Sequence, residues 1–214
     1  GFPNKNDEDW KFSDLNSILS KNFNNIANNN FLPKEKNIKI IEEFEHNYIS
    51  LFDGKIVSKD FSYEEKNKVL IDNFNYKDEP IFDNKNSLFI LNNALSTGGF
   101  SLEISKNYKL KKPLIIYNNF STLLKETIVN YKNLIILNEN SELNLINYIN
   151  NSSRENFMVN TVENIKMKKN SSLNNILINN SKCNGYFYKY IKCDLEKNSS
   201  LENYLISSGL KFNK

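Results

Sequence analysis

From Phe100 onward the chain alternates short apolar runs with polar breaks. FSLEIS, PLIIYN, NLIILN, ELNLINYI, VENIKMK, LNNILIN, YFYKYIKCDLE and LENYLIS are parted by Asn, Ser, Lys and Gly. Runs of this length, rich in Ile, Leu and Tyr and without a helical period, predict strands. Two of them sit in near-copies, KNSSLNNILIN at 169–179 and KNSSLENYLIS at 197–207, spaced 28 residues apart. The shared motif, Lys or Glu then Asn and a later Leu, also occurs from Lys106 to Leu110 and from Glu139 to Leu143, so that successive spacings are 33, 30 and 28. Aligned on it, Leu110, Leu143, Leu173 and Leu201 form one column; Ile146, Ile176 and Tyr204 form a second; Tyr148, Ile178 and Ile206 form a third. Apolar columns at this period predict a β-solenoid whose coils stack so that each covers its neighbour's inner wall. Asn suits the corners because it tolerates the left-handed region and bonds its own backbone. Asn175 and Asn203 share a column and could stack as an amide ladder. The competing architecture, an antiparallel sandwich, predicts no such register.

The earlier part reads differently. Ser13 and Asp14 can cap a helix through LNSILSKNFNNI, where Leu15, Ile18, Leu19 and Phe23 share one face. Asp53-Gly54 lies between apolar runs and predicts a tight hairpin. Ser62 and Glu65 form a capping box before KNKVLIDNF, which predicts another short helix. SLFILNNAL predicts a helix that stops at the glycines of Ser96-Thr97-Gly98-Gly99. The fold class expected is therefore mostly β: a small helical or mixed domain over 1–85, then a right-handed parallel β-helix over 86–214.

Composition adds limits. The chain has 214 residues and a mass of 25.0 kDa, long enough for one sizeable domain or two small ones. Eleven Tyr and fifteen Phe exclude a disordered chain despite the abundance of Asn. A net charge of +3 from 28 basic and 25 acidic side chains, with Arg154 the lone Arg, gives no basic footprint for nucleic acid. No apolar run reaches a membrane span and no signal segment is visible, so a cytoplasmic location with no membrane partner is expected. Cys183 and Cys193 match no zinc or redox spacing and read as free, partly buried thiols. His46 is the lone histidine and reads as a surface or capping residue.

The opening GFPNKNDEDWKFSDL resembles that of the SufD branch of the SufB/SufD family, part of the SUF iron–sulfur cluster assembly system, through Gly1, Pro3, Glu8, Trp10, Lys11, Phe12 and Ser13. LFDGKIVSKDFS and LNNALSTGGFSLEISKNYKLKKPLIIYN are similar to later family segments, the second through Leu91, Asn92, Ala94, Gly99 and Pro113. The resemblance covers residues 1 to about 120, with Trp10 expected to anchor the N-terminal helix.

What the resemblance implies is a non-catalytic scaffold subunit. It would pair with a SufB-like paralogue and a SufC-like ABC ATPase, as a SufBCD complex in which nascent iron–sulfur clusters are built for transfer to apo-proteins. ATP would sit on the ATPase, and Gly98-Gly99 accordingly lacks a P-loop context. The family's interface residues and its ATPase-docking helices lie in later coils and beyond them. No catalytic, cofactor-binding or metal residue is therefore assigned within this chain. Because it stops at Lys214, inside the coil begun at Lys197, the natural protein is expected either to continue or to have this end covered by a partner. Two other readings remain open. A polysaccharide lyase would need clustered carboxylates, yet Glu139, Glu142, Glu155, Glu163, Asp194, Glu196 and Glu202 do not align into one patch around Arg154. The other is a surface solenoid.

Overall fold

Each coil turns on an asparagine. Asn107, Asn140, Asn170 and Asn198 have φ of 59°, 57°, 59° and 58°, the left-handed conformation that Asn adopts more readily than most residues. They occupy the third place of four-residue turns closed by Tyr108 N–H to Ser105 O, Ser141 N–H to Asn138 O, Ser171 N–H to Lys168 O and Ser199 N–H to Glu196 O, at 3.1–3.2 Å. This is the place where a type II turn requires positive φ. Their amides stack along the solenoid axis: Asn140 donates to Asn107 Oδ1 at 2.7 Å, Asn170 to Asn140 at 2.9 Å and Asn198 to Asn170 at 3.2 Å.

The structure, a computed structural model, describes residues 15–20, 23–27, 39–75, 86–122, 124–149, 151, 154–209 and 211–214. The opening motif through Ser13, with Trp10 and the cap at Ser13 and Asp14, lies outside these residues, as does the stretch 76–85 before the expected domain boundary. The elements are α1 (Leu15–Leu19), β1 (Asn25–Ile26), β2 (Asn47–Phe52), β3 (Lys55–Asp60), β4 (Val69–Asn73), α2 (Ser87–Leu95), β5 (Phe100–Ile104), β6 (Leu114–Asn119), β7 (Thr127–Leu137), β8 (Glu142–Ile149), β9 (Phe157–Met167), β10 (Ser172–Asn180), β11 (Gly185–Leu195), β12 (Ser200–Ser208) and β13 (Phe212–Asn213). They form a parallel β-helix of about three turns. One wall runs β13-β11-β9-β7-β5-β4, with β1 beside β7; the other runs β12-β10-β8-β6-β2-β3.

The register is the one the repeat predicts. Leu143 pairs with Leu173 and Leu173 with Leu201; Ile146, Ile176 and Tyr204 align, as do Tyr148, Ile178 and Ile206. Only the leucine column faces the lumen. Leu143 and Leu173 are buried in the main core cluster, with Leu110 and Leu201 packed against it. The other columns lie an odd number of residues away along each strand, and side chains alternate faces, so they line the outer surface of the wall. The amide ladder is present and points inward: Asn147 donates to Asn175 Oδ1 at 3.0 Å, and Asn175 to Asn203 Oδ1 at 2.8 Å.

The front of the chain departs from the expected helices. α1 ends at Leu19, and Asn25–Ile26 instead pairs with Thr127–Ile128. Its apolar face is nevertheless used, since Leu15, Ile18, Leu19 and Phe23 pack with Leu88, Ile128, Met158 and Tyr186 on the outside of the β7/β9/β11 wall. KNKVLIDNF is strand: β4 pairs antiparallel with β5. Ser62 makes no helix cap there; its N–H donates to Asp60 Oδ1, while Glu65 N–H donates to the Tyr108 hydroxyl. Local capping signals lose here because an open strand edge and an apolar face on the solenoid offer more hydrogen bonds and burial than one short helix.

α2 forms as expected, capped by Asn86. It ends on extended Ser96, three residues ahead of Gly99, which has φ 118°. A Cβ on Gly99 would lie 1.7 Å from Lys132 O, so only glycine fits where the chain enters β5. Asn92 clamps α2 to the wall by donating to Tyr131 O and Asn160 O, and Asn160 returns a bond to Leu88 O. The Asn92 of the family-like segment thus has a structural task. Among the described residues no helix is long and apolar enough to cross a membrane.

The hairpin at Asp53-Gly54 is present, with φ of 49° and 80°. Asp53 is buried and its Oδ1 accepts from Ser121 N–H at 2.9 Å. Burial pushes its carboxyl up to about 6, against the opposing pull of that hydrogen bond and of Lys55. A raised folded-state pKa means that ionised Asp53 opposes folding: its stabilising protonated form is complete below pH 3.8 and is lost as pH rises to about 6. Asp53→Asn keeps the acceptor and tolerates the backbone. The variant should match the native protein in urea unfolding near pH 4 and exceed it by on the order of 1–3 kcal/mol at pH 7. A native–variant difference that is constant between these pH values would contradict this account.

Candidate functional site

The lumen is not uniformly apolar. Odd-numbered positions of β7, β9 and β11 point inward, and at mid-strand they are polar: Tyr131 stacks on Thr161 and Lys189, and Asn133 on Glu163. Facing them across the lumen are Asn118, Asn147, Asn175 and Asn179 of the other wall. Apolar layers close this zone on both sides, with Ile135, Ile165 and Cys193 toward one corner and the Phe120, Phe157 and Phe187 rings, 5.5–5.8 Å apart, toward the other.

Glu163 is the most buried carboxylate in the zone. Its side chain is 0% exposed and Lys189, 16% exposed, brings Nζ to 3.0 Å from Oε1. Neither Glu163 oxygen has an aligned hydrogen-bond donor among the described residues, so Coulomb attraction in the buried interior, rather than a directed bond, holds the pair. Tyr131 donates to Asn118 Oδ1 at 3.2 Å. Burial holds its phenol far above the usual range, with a Thr161 hydrogen bond working the other way. The amides of Asn133 and Asn179 retain unpaired atoms facing a cavity of about 20 Å³ bounded by Tyr131, Asn147, Thr161 and Lys189. That volume suits one water molecule bridging these groups.

Cys193 stacks on Ile165 beside this zone. Burial pushes its thiol up, and the charges of Glu163 and Asp194 push it further, so it is protonated at neutral pH and a poor nucleophile. Cys183, at the turn before β11, is raised by burial as well, opposed by Gly185 and Ser181. Both thiols are free, as the spacing predicts. In the sequence Glu163 is one of the carboxylates that do not align into one patch, and nothing in its local pattern pairs it with Lys189. Strand alternation puts Glu163 on the inner face, but one coil on it lies over Ile191, and it reaches Lys189, which lies over Thr161, only diagonally.

The remaining carboxylates are dispersed. Glu139, Glu142 and Glu196 form corner ion pairs with Lys106, Lys109 and Lys168. Arg154 and Asn184 meet through the Arg154 carbonyl. His46 is neither exposed nor a cap. It is buried, with Nδ1 on Phe44 O at 2.9 Å and Nε2 on the Tyr117 hydroxyl at 2.8 Å. Among the described residues no group of three or more His, Cys, Asp or Glu is arranged to hold a metal ion.

Residues 120–214, the coils that build this lumen, match the family model described as SUF system FeS cluster assembly, SufBD core domain. No curated protein matches the chain. The family match supports a role in SUF iron–sulfur cluster assembly.

Removing Lys189 leaves an uncompensated charge in the lumen, a loss that typically costs several kcal/mol. Lys189→Met should therefore destabilise the protein by on the order of 3 kcal/mol, and adding Glu163→Gln should recover a large part of it. Urea unfolding of both single variants and the double variant measures the coupling; strictly additive losses would show that the two charges do not interact.

Proposed function

We propose that this chain is a non-catalytic scaffold subunit of the SufD type, acting in a SufBCD-like complex that assembles iron–sulfur clusters for transfer to apo-proteins. The single observation that carries the reading is the SufBD core match over residues 120–214. The family-like segments between Gly1 and about residue 120 complement it, so that the resemblances together run along the whole chain. The clusters would be cargo of the complex, and ATP would be bound by a SufC-like partner.

The geometry agrees with a scaffolding task. A solenoid of parallel coils is stiff along its axis, and its side chains form fixed columns on both surfaces. The ionisable groups gathered in the lumen are held in an ion pair rather than presented in an open cleft. The alternative of a polysaccharide lyase gains nothing from the structure, because Glu139, Glu142 and Glu196 are engaged with lysines at the corners.

Co-expression of the full chain with the SufB-like and SufC-like proteins of the same source, followed by size-exclusion chromatography with light scattering, tests the reading. The three should elute as one complex. Separate elution of all three, each folded by circular dichroism, would overturn it.

A further inference from the structure

The Glu64 carboxylate is gripped by groups that belong to the solenoid rather than to its own loop. Oε1 accepts from Asn47 Nδ2 at 2.7 Å and from the Lys111 and Lys112 N–H groups at 3.1 and 3.3 Å; Oε2 accepts from the Tyr108 hydroxyl at 2.7 Å and from Lys111 N–H at 3.2 Å. The wall fixes these donors. Asn47 opens β2 and is wholly buried; its Nδ2 also donates to Lys112 O at 3.1 Å, and its backbone N–H donates to Pro113 O. Tyr108 packs in the main core cluster, with its backbone held at the corner by Ser105 O and Glu142 N–H. Burial and the Glu64 bond raise its phenol, which therefore keeps its proton and donates. Glu64 itself arrives on residues 61–67, a run of turns and bends between β3 and β4.

Four donors converging on one point make a receptor for an anion. Bonds from two successive backbone amides, a phenol and a buried amide to an ionised acceptor are of the strong, charge-assisted kind, and Lys111 N–H within reach of both oxygens suits a planar carboxylate. Side-chain charge adds little. Lys109, Lys111 and Lys112 stand around the recess, but they pair at the surface with Glu142, Glu65 and Glu45 at 2.8, 3.3 and 2.6 Å. The uncharged donors therefore decide what fits. An empty recess would strand the Asn47 amide, whose Oδ1 has no partner among the described residues and whose Nδ2 would lose the shorter of its two bonds. The loop is tied to the same corner only by single contacts besides this one, such as Glu65 N–H on the Tyr108 hydroxyl at 3.0 Å and the exposed Glu65–Lys111 pair. We propose that this recess is a carboxylate-binding site built into the solenoid corner, and that Glu64 is the tethered ligand that fills it, making the 61–67 loop a lid held down by ligand binding. The inference does not depend on the scaffold reading.

Glu64→Ala removes the ligand and leaves the donors in place. Urea unfolding of this variant of the full chain in rising sodium formate or sodium acetate, against sodium chloride at equal ionic strength, tests the proposal. In chloride its midpoint should lie below the native one. In formate and acetate the midpoint should climb with the logarithm of concentration beyond a Kd on the order of 1–100 mM, the range open to ligands of three or four heavy atoms. Glu64→Gln fills the recess with a neutral amide; like the native protein, it should gain no more from acetate than from chloride. If Glu64→Ala does not fold in chloride, the appearance of a cooperative transition in acetate is the same readout. Identical behaviour of Glu64→Ala in acetate and chloride would overturn the proposal, as would an equal acetate gain in the native protein and in Glu64→Gln, which marks a general salt effect.

Discussion

The stacking of each coil on the next, residue over residue, is the constraint from which the rest of this molecule follows. A parallel strand satisfies its backbone only through neighbouring coils, because its own chain leaves it at each corner. The pairing therefore has to be in register over every rung, and the asparagine turns enforce this by ending each strand at the same place. A corner residue that could not adopt positive φ would slide the following strand along its neighbour. A slide of one residue would exchange the inner and outer faces.

That alternation explains why the lumen and the outer surface have such different characters although they are built from the same strands. At the corners the inward positions are Leu, Ile, Val, Phe and Met; in the middle of the long strands they are Tyr131, Thr161, Lys189, Asn133 and Glu163. A buried ion pair of this kind is weak evidence for stability, since desolvating both charges offsets much of their attraction. Its retention beside a row of inward asparagines gives the lumen a polar interior along part of its length. Those coils carry the SufBD core match.

On the outside, the wall opposite α2 carries Ile and Tyr columns that the chain itself covers in part. Where the 39–46 segment lies across it, Ile115 and Tyr117 are almost completely buried, whereas Tyr204 and Ile206 of the last coil are 52% and 59% exposed. The same columns thus serve as an intramolecular seat at one end and an open apolar surface at the other. His46 belongs to this seat: Nε2 ties the crossing segment to the wall at the Tyr117 hydroxyl, while Nδ1 bonds Phe44 O within the segment, and the ring is buried.

Much of the solenoid was legible in the chain itself. The period near 30, the corner asparagines, the hairpin at Asp53-Gly54, α2 and the pairing of Leu143 with Leu173 and Leu201 follow from local chemistry: which residues accept positive φ, and which runs favour a strand. The facing of the columns, the fate of KNKVLIDNF and the partnership of Glu163 with Lys189 were decided by the tertiary structure. A strand whose two faces are both apolar does not say which is inside; that depends on the side to which each corner turns the chain. A short segment with a capping box becomes a strand once β5 offers its edge. Two charges 26 positions apart meet only because one coil places Lys189 above Thr161 and alternation brings Glu163 to the same side, a coincidence of path that no local pattern encodes.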